Sequence, residues 1–342
     1  MAVDPQLPLT SVAGYAQRAE RLGFDGVHVA ETIHDSTMVA LLALEHTSRI
    51  TVRTAISLAF VRSPTLLAYA AWDLSVLSSG RFELGLGTQI KQNIEDRYGM
   101  PWSAPLPRMR EYVGTMAALF EAFRTGGPVH YEGERYRVTR LQPYFNPGPS
   151  DATVPPIWLG AVNARMCELA GEVAHGIVTH STNSDPGYLR EVVRPALDEG
   201  ARAAGRAERP LIMASTAIAT GLDDAAVVRD RERQRRMLAF LYSTPAYAPA
   251  VVRHGFDDLP ERLRDLVRTD RWTDLPSVVD DTLLDALVVS GRYDQLPGLL
   301  LERYGEVADG VVLPPLGDES DDPALTDCVV NLRAAQAPDP PR

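Results

Sequence analysis

An acidic side chain and an imidazole lie close together at 31–35 (ETIHD), directly after the apolar run GVHVA. A carboxylate and an imidazole near one another can donate and accept protons during catalysis. A simpler explanation is also open, in which His34 caps the next helix or points into solvent. We therefore take Glu31 and His34 as candidate acid–base residues, with Asp35 beside them.

A turn of small residues, GAVNA at 160–164, follows a second apolar run. The N–H groups at the start of a helix attract phosphate, and small side chains let an anion come close to the backbone. Small residues also occur in such turns for packing alone. Both explanations remain open for Gly160, Ala161, Val162 and Asn163.

Two more apolar runs end in residues that could contact a ligand. The sequence LGLGTQ ends in Gly87, Thr88 and Gln89, where backbone without a side chain can pass close to a flat molecule. Packing against a neighbouring strand would explain these glycines equally well. His180 follows the run GIVT, and its ring can donate to a ligand oxygen or be satisfied within its own loop.

Some chemistries are disfavoured by what the chain contains. The seven histidines and two cysteines include no pair with metal-ligand spacing, so we expect no metal site. A Schiff-base enzyme needs a lysine on a strand, and the one lysine, Lys91, is not on one. The chemistry must therefore come from other side chains or from a bound cofactor.

Charge and hydropathy restrict the partners. A net charge of −11 disfavours nucleic-acid binding, which usually needs a basic face. No uninterrupted apolar run approaches the length that spans a bilayer. The first residues, MAVDPQLPLTS, lack the basic and apolar regions of a signal peptide. We expect a cytoplasmic protein with neither a nucleic-acid nor a membrane partner.

The candidate residues must be positioned by the elements that precede them. Residues 50–58 are apolar and rich in β-branched side chains, which is typical of a buried strand. Pro64 suits the first turn of a helix whose apolar residues recur at three- and four-residue spacing. A second strand follows at 81–86. Two strands joined by such a helix form a parallel βαβ unit.

The same alternation extends over most of the chain. Strands are predicted at 2–6, 26–30, 50–58, 81–86, 157–160, 176–179, 211–220 and 310–313. Eight strands that mostly alternate with helices predict an α/β fold of the (β/α)8 TIM-barrel type, with an open doubly wound sheet as the alternative. We expect one domain over 1–336, insertions after strands four and seven, and a disordered tail at 337–342. The insertions are a hairpin about Gly133 with a proline-rich segment (about 126–155) and a mostly helical segment (about 243–290).

Longer motifs link the chain to a known family. They are RSP at 62–64, LSSGRFELGLGTQ at 77–89, PPIWLG at 155–160 and LAGEVAHGIV at 169–178. On these the chain resembles the bacterial-luciferase-like oxidoreductases, barrel enzymes that use flavin mononucleotide (FMN) or the deazaflavin coenzyme F420. LGLGTQ, YGMPW at 98–102 and YSTPAY at 242–247 make it most similar to the F420-dependent branch. The resemblance covers nearly the whole chain.

The resemblance implies roles for the candidate residues. It implies a non-proline cis peptide at Ala55–Ile56, with Ser57 beside it, that backs the cofactor ring. Gly87, Thr88 and Gln89 would contact the ring or the ribityl chain, and the turn at 160–163 would hold the phosphate. His180 is taken as a further cofactor contact, and Glu31 or His34 as the group that handles the substrate's proton.

The implied activity is hydride transfer between C5 of coenzyme F420 and an organic substrate, as a reductase of a C=C or C=N bond. One alternative is a luciferase-like monooxygenase that uses reduced FMN. A second alternative is a cofactor-binding protein without turnover. The implied partners are a small-molecule or peptide substrate and a second copy of the chain, as a homodimer.

Overall fold

A computed structural model describes residues 1–336. It divides into two compact units. The first unit comprises Met1–Val178 and Pro195–Leu211, and the second comprises Thr179–Arg194 and the described residues from Ile212 onward. The disordered tail predicted at 337–342 lies outside the described residues. Within 1–336, no helix has the length and apolar character needed to cross a bilayer.

Strands and helices alternate along most of the chain, as predicted. The strands are β1 (Gly26–Val29), β2 (Thr51–Thr54), β3 (Ser57–Leu58), β4 (Phe82–Gly87), β5 (Tyr131–Glu132), β6 (Arg137–Val138), β7 (Ile157–Gly160), β8 (Gly176–Val178), β9 (Leu211–Ala214), β10 (Ala217–Ala219), β11 (Val288–Ser290) and β12 (Gly310–Val311). The helices are α1 (Val12–Arg21), α2 (Ser36–Glu45), α3 (Pro64–Ser78), α4 (Pro105–Thr125), α5 (Ala164–Val173), α6 (Pro186–Tyr188), α7 (Arg194–Ala203), α8 (Asp224–Tyr242), α9 (Ala248–Val252), α10 (Leu259–Arg268), α11 (Asp281–Leu287), α12 (Leu296–Tyr304) and α13 (Asp322–Gln336).

The first unit is built on a parallel sheet with the strand order β1–β2–β4–β7–β8, to which β3 adds by pairing with β4. Its strands are almost entirely buried, as expected when helices cover a parallel sheet. Because these strands all run in one direction, their carboxyl ends lie at one edge. The segments that follow β1, β3, β4 and β7 therefore begin at the same edge.

The predicted strand at 2–6 is much shorter than expected. Ala2 forms a single parallel bridge with His28. The N–H of Leu7 then donates to the carbonyl oxygen of Asp4 at 3.0 Å, so the chain turns at Pro5. The prediction was wrong about the length of this element, because proline has no N–H to continue a ladder.

Local signals set the limits of the helices in the first unit. Pro64 lies in the first turn of α3, and the helix ends at Ser79 and Gly80, whose φ angles are 54° and 84°. The carboxylate of Asp35 caps α2 by accepting the N–H of Thr37 at 2.8 Å. These ends agree with the predicted helices, and they place Asp35 beside the carboxyl edge of the sheet.

The insertion at 126–155 contains the predicted hairpin. Strands β5 and β6 pair antiparallel, and the N–H of Gly133 donates to the carbonyl of Tyr136 at 2.8 Å. Helix α4 holds this hairpin through Glu111, whose carboxylate accepts the N–H groups of Arg135 (2.7 Å) and Tyr136 (3.2 Å).

The second unit has two short parallel pairs, β9 with β12 and β10 with β11. The predicted strand at 211–220 is therefore interrupted at Ser215 and Thr216. Helices α8 to α11 enclose an apolar core that includes Leu238, Tyr242 and Leu284. The segment 243–290 is mostly helical, as predicted, but its last residues form β11 instead of a helix, because they pair with β10.

Candidate active site

The chain between β2 and β3 has one residue more than the part of β4 that faces it. Arg53 pairs with Glu83, and Ser57 pairs with Leu86. Four steps along one side (53 to 57) thus oppose three along the other (83 to 86), which defines a β-bulge. The peptide bond Ala55–Ile56 within it is cis. The cis bond lies where the resemblance implied.

The hydroxyl of Thr54 fills the gap that the bulge leaves in the ladder. It accepts the N–H of Gly85 at 2.9 Å and donates to the carbonyl oxygen of the same residue at 2.8 Å. A Cβ on Gly85 would lie 1.9 Å from the carbonyl oxygen of Thr54. The close approach of the two strands therefore requires glycine at position 85.

The side chain of Ile56 covers the ends of two neighbouring strands. A Cβ on Gly87 would lie 2.1 Å from Cδ1 of Ile56, and one on Gly160 would lie 3.1 Å from its Cγ2. Gly87 and Gly160 thus make room for Ile56. The packing explanation of Gly87 holds, and the same contacts create an apolar surface at the carboxyl edge of β4 and β7.

Ser57 and the 87–89 turn flank this surface. Ser57 is fully buried, and its hydroxyl lies 2.6 Å from the hydroxyl of Ser36. Gln89 has a φ of 61°, and its side-chain oxygen accepts the N–H of Ile90 at 2.9 Å and an amide hydrogen of Asn93 at 3.1 Å. Thr88, between Gly87 and Gln89, is half-buried, so its hydroxyl is an accessible polar group of this turn.

Glu31 is engaged by an arginine and by the backbone. Its Oε2 accepts the N–H of Leu58 at 2.7 Å and an Nη1 hydrogen of Arg62 at 2.8 Å, and its Oε1 accepts from Nη2 of Arg62. The Arg62 guanidinium also donates to Asp35 at 2.7 Å. Burial opposes ionisation of Asp35, but bonds from Thr37 and Arg62 outweigh it and lower the pKa of the Asp35 carboxyl.

His34 is placed differently. Its ring is half-buried and makes no hydrogen bond within residues 1–336. It lines a small cavity with the end of β1 (Val29 and Ala30), the start of α2 (Val39) and the amino-terminal segment, including Asp4. Of the two candidate acid–base residues, Glu31 already uses both carboxylate oxygens in hydrogen bonds. His34 uses neither of its ring nitrogens within the described residues.

The 160–163 turn leads into α5. Ala161 is buried, and Asn163 caps the helix by accepting the N–H of Met166 at 3.0 Å. Arg165, in the first turn of α5, is exposed and forms no ion pair within the described part of the chain. The turn thus combines small residues, a capped helix start and an unpaired cation, which together suit an anion.

His180 belongs to the second unit. Its ring stacks on that of Tyr247, with centroids 5.1 Å apart and planes 12° from parallel. Its Nδ1 lies 2.9 Å from the hydroxyl oxygen of Thr182, and the backbone N–H of Thr182 donates to the same nitrogen at 3.4 Å. Burial lowers the pKa of His180 to about 4, so the ring is neutral near pH 7.

Sequence reasoning missed three residues of this site. Thr54 and Arg62 act on groups about 30 positions away along the chain, and Arg165 is one of many arginines. The motif RSP at 62–64 pointed to a role for Arg62 without showing what it contacts. Only the fold brings Arg62 to Glu31.

Comparisons with known proteins identify the family of the chain. Residues 1–310 match the family model described as luciferase-like monooxygenase. The chain belongs to this luciferase-like family. A family member from Mycobacterium tuberculosis, described as an uncharacterized protein, is 39% identical over 315 residues, which cover 91% of this chain and 92% of that protein.

Enzymes with named activities also match the chain. The 5,10-methylenetetrahydromethanopterin reductase of Archaeoglobus fulgidus is 26% identical over 313 residues, 89% of this chain and 88% of the reductase. The solved structure of the coenzyme F420-dependent tetrahydromethanopterin reductase from Methanopyrus kandleri has a TM-score of 0.79 at 22% identity and covers 98% of both chains. The structural match shows the luciferase-like TIM-barrel fold, which confirms the predicted fold class.

Proposed function

We propose that this protein is a coenzyme F420-dependent oxidoreductase that transfers a hydride between the deazaflavin and an organic substrate. The observation that carries the proposal is the apolar surface that Ile56 makes over Gly87 and Gly160. A flat ring system binds to a smooth apolar support at the carboxyl ends of parallel strands. The solved reductase that shares the fold is named as F420-dependent.

The residues around this surface fit the rest of the cofactor. A deazaflavin bound here would supply the hydride, carried at its C5 atom. Ala55, Ile56 and Ser57 would support one face of the ring, and Gly87, Thr88 and Gln89 its side. Gly160 to Asn163, the first turn of α5 and the free guanidinium of Arg165 would bind the phosphate. His180, whose ring is neutral near pH 7, would be a further hydrogen-bonding contact of the cofactor or substrate.

Proton handling is assigned to His34. An acid–base group must reach the proton that it moves, and the ring of His34 is half-buried at the carboxyl edge of β1 with no bond to break first. Glu31 lies in the same segment, but both of its oxygens are bonded. We therefore propose that His34 exchanges a proton with the substrate, while the neighbouring Glu31 keeps its hydrogen bonds.

The direction of the reaction is proposed from the relatives. Relatives named as 5,10-methylenetetrahydromethanopterin reductases favour reduction, whereas a structural neighbour is named as an F420-dependent secondary alcohol dehydrogenase, for which oxidation is the named direction. We propose reduction of a C=C or C=N bond in a small-molecule or peptide substrate. The family description names monooxygenases, and this favours a second candidate, an FMNH2-dependent oxygenation at the same surface.

Titration of the purified protein with oxidised F420 and, separately, with FMN tests the proposal. We expect saturable, micromolar binding of F420, followed by hydride exchange with a suitable acceptor. Binding of FMN without any response to F420 would support the monooxygenase instead. Binding of F420 without exchange to any acceptor of either bond type would indicate a cofactor-binding protein.

A further inference from the structure

Both backbone groups of Leu58 are held by one ion pair. Its N–H donates to Oε2 of Glu31 at 2.7 Å, and its carbonyl oxygen accepts from Nη1 of Arg62 at 3.3 Å. The same Arg62 guanidinium binds both oxygens of Glu31. We call Glu31 and Arg62 the Leu58 clamp.

The clamp holds Leu58, whose pairing with β4 sets the position of the Ile56 side chain on the sheet. Leu58 pairs with Gly87, and Ile56 precedes it by two residues. Because Cδ1 of Ile56 lies only 2.1 Å from where a Cβ at Gly87 would be, the registration of β3 on β4 decides where the Ile56 side chain rests. Strand β3 has only two residues, so its own ladder supplies little to fix that registration.

The environment of Glu31 suits a fixed anion. Its side chain is 8% exposed, against 22% for Arg62. A carboxylate that is this buried and accepts three hydrogen bonds, two from a guanidinium, is held in one orientation. Asp35, the cap of α2, accepts from the same Nη2 of Arg62 that binds Glu31, so the clamp also ties β3 to the start of α2.

We propose that Glu31 and Arg62 are positioning residues that hold the Ile56 surface against the cofactor ring, and that Glu31 moves no proton. The proposal rests on the proposed function for the identity of what Ile56 supports. The geometry of the clamp itself does not depend on it.

The test compares Glu31→Gln, Arg62→Lys and Arg62→Met with matched changes in an exposed ion pair of the same unit, Glu172→Gln and Arg110→Met. We expect the clamp variants to bind F420 more weakly and to transfer the hydride about 10- to 100-fold more slowly, because a misplacement of about 1 Å can cost that much in rate. Arg62→Lys keeps the positive charge but loses the planar pair of N–H donors of the guanidinium. Its F420 affinity should therefore lie between those of wild type and Arg62→Met. The control variants should bind as wild type does.

Two readouts separate positioning from proton transfer. Glu31→Gln should leave the shape of the pH–rate profile unchanged while it lowers the rate. The double variant Glu31→Gln/Arg62→Met should be no weaker in F420 binding than Arg62→Met alone, because both residues act through one structure. Loss of one limb of the pH profile in Glu31→Gln, or additive effects in the double variant, would overturn the proposal.

Hydrogen exchange tests the clamp without any cofactor. In the apo proteins, amides of residues 55–62 should exchange faster in Glu31→Gln and Arg62→Lys than in wild type, with residues 105–125 unchanged. If wild type binds neither F420 nor FMN, the proposed function fails, and this measurement alone decides on the clamp. Unchanged exchange at 55–62 in both variants would refute it.

Discussion

At the scale of single residues, the candidate histidines differ in what holds their rings. His34 is half-buried and unbonded within the described residues, whereas His180 is stacked on Tyr247 and bonded at Nδ1. A ring that moves a proton must be able to change its bonds, and a ring that binds must be able to keep them. This contrast supports separate roles for the two and leads to a different test for each.

Replacing His34 with alanine should lower turnover by about 100-fold, the usual minimum for loss of a general acid or base. F420 affinity should stay within about two-fold of wild type, because the ring contacts none of the proposed cofactor groups. Steady-state kinetics and a binding titration measure the two effects, and added imidazole should restore part of the rate. The exposed His46→Ala is the control. Unchanged turnover in His34→Ala would move the proton donor elsewhere.

His180 should make the protein sensitive to acid. Its folded pKa of about 4 lies below the value of about 6.5 in an unfolded chain, so the unfolded state binds the proton first and stability falls as pH decreases through that window. From about pH 7.5 to about pH 5 this residue should cost about 2 kcal/mol of unfolding free energy. Urea unfolding of wild type and His180→Gln at both pH values measures it. An equal loss in the two proteins would contradict the expected burial of the neutral ring.

At the scale of elements, the sequence predicted what depends on neighbours along the chain. The helix starting at Pro64, its stop at Ser79–Gly80 and the hairpin about Gly133 each follow from local residue types, and the structure has them. The break at 215–216 could not be predicted, because it arises when one strand pairs with two separate partners. The Leu58 clamp was also out of reach, since it joins residues 27 and 31 positions apart.

The junction of β3 with β4 should not tolerate a side chain at position 87. A Cβ there would lie 2.1 Å from Cδ1 of Ile56, so Gly87→Ala must displace the isoleucine and should cost about 1–3 kcal/mol of stability. Ile56→Val removes that atom, and the double variant should recover part of the loss. Urea unfolding of wild type, the two single variants and the double variant gives the four free energies of this double-mutant cycle. Purely additive costs would mean that the two side chains do not meet.

The start of α5 should reject a negative charge. Val162→Asp should raise the dissociation constant of F420 by at least about 10-fold, because it sets a carboxylate against the phosphate, whereas the neutral Val162→Asn should bind nearly as wild type does. Position 162 is the better test than the buried Ala161, where glutamate would disturb packing. Fluorescence titration distinguishes the pair. Equal affinities would remove this turn from the cofactor site.

At the scale of the whole molecule, helices α2 and α3 suggest how copies of the chain associate. Both helices are apolar on all sides, a pattern found where a helix is buried on more than one face. Their outward residues nevertheless lie exposed in the single chain, among them Met38, Leu41, Leu66 and Leu77. A second copy covering this face would account for both facts, which supports the predicted homodimer.

A charge placed on that face should therefore separate the copies. Leu66 is 69% exposed on α3, so Leu66→Asp should fold as a monomer does and yet lose self-association, because the carboxylate would be buried unpaired at the interface. Light scattering coupled to gel filtration should give a dimer mass for wild type and a monomer mass for Leu66→Asp. Val228→Asp supplies the matched control, since Val228 is 60% exposed on α8, a helix of the second unit. A monomeric wild type at micromolar concentration would mean that a different partner covers the apolar face of α2 and α3. A dimer that survives Leu66→Asp but not Val228→Asp would place the interface on the second unit.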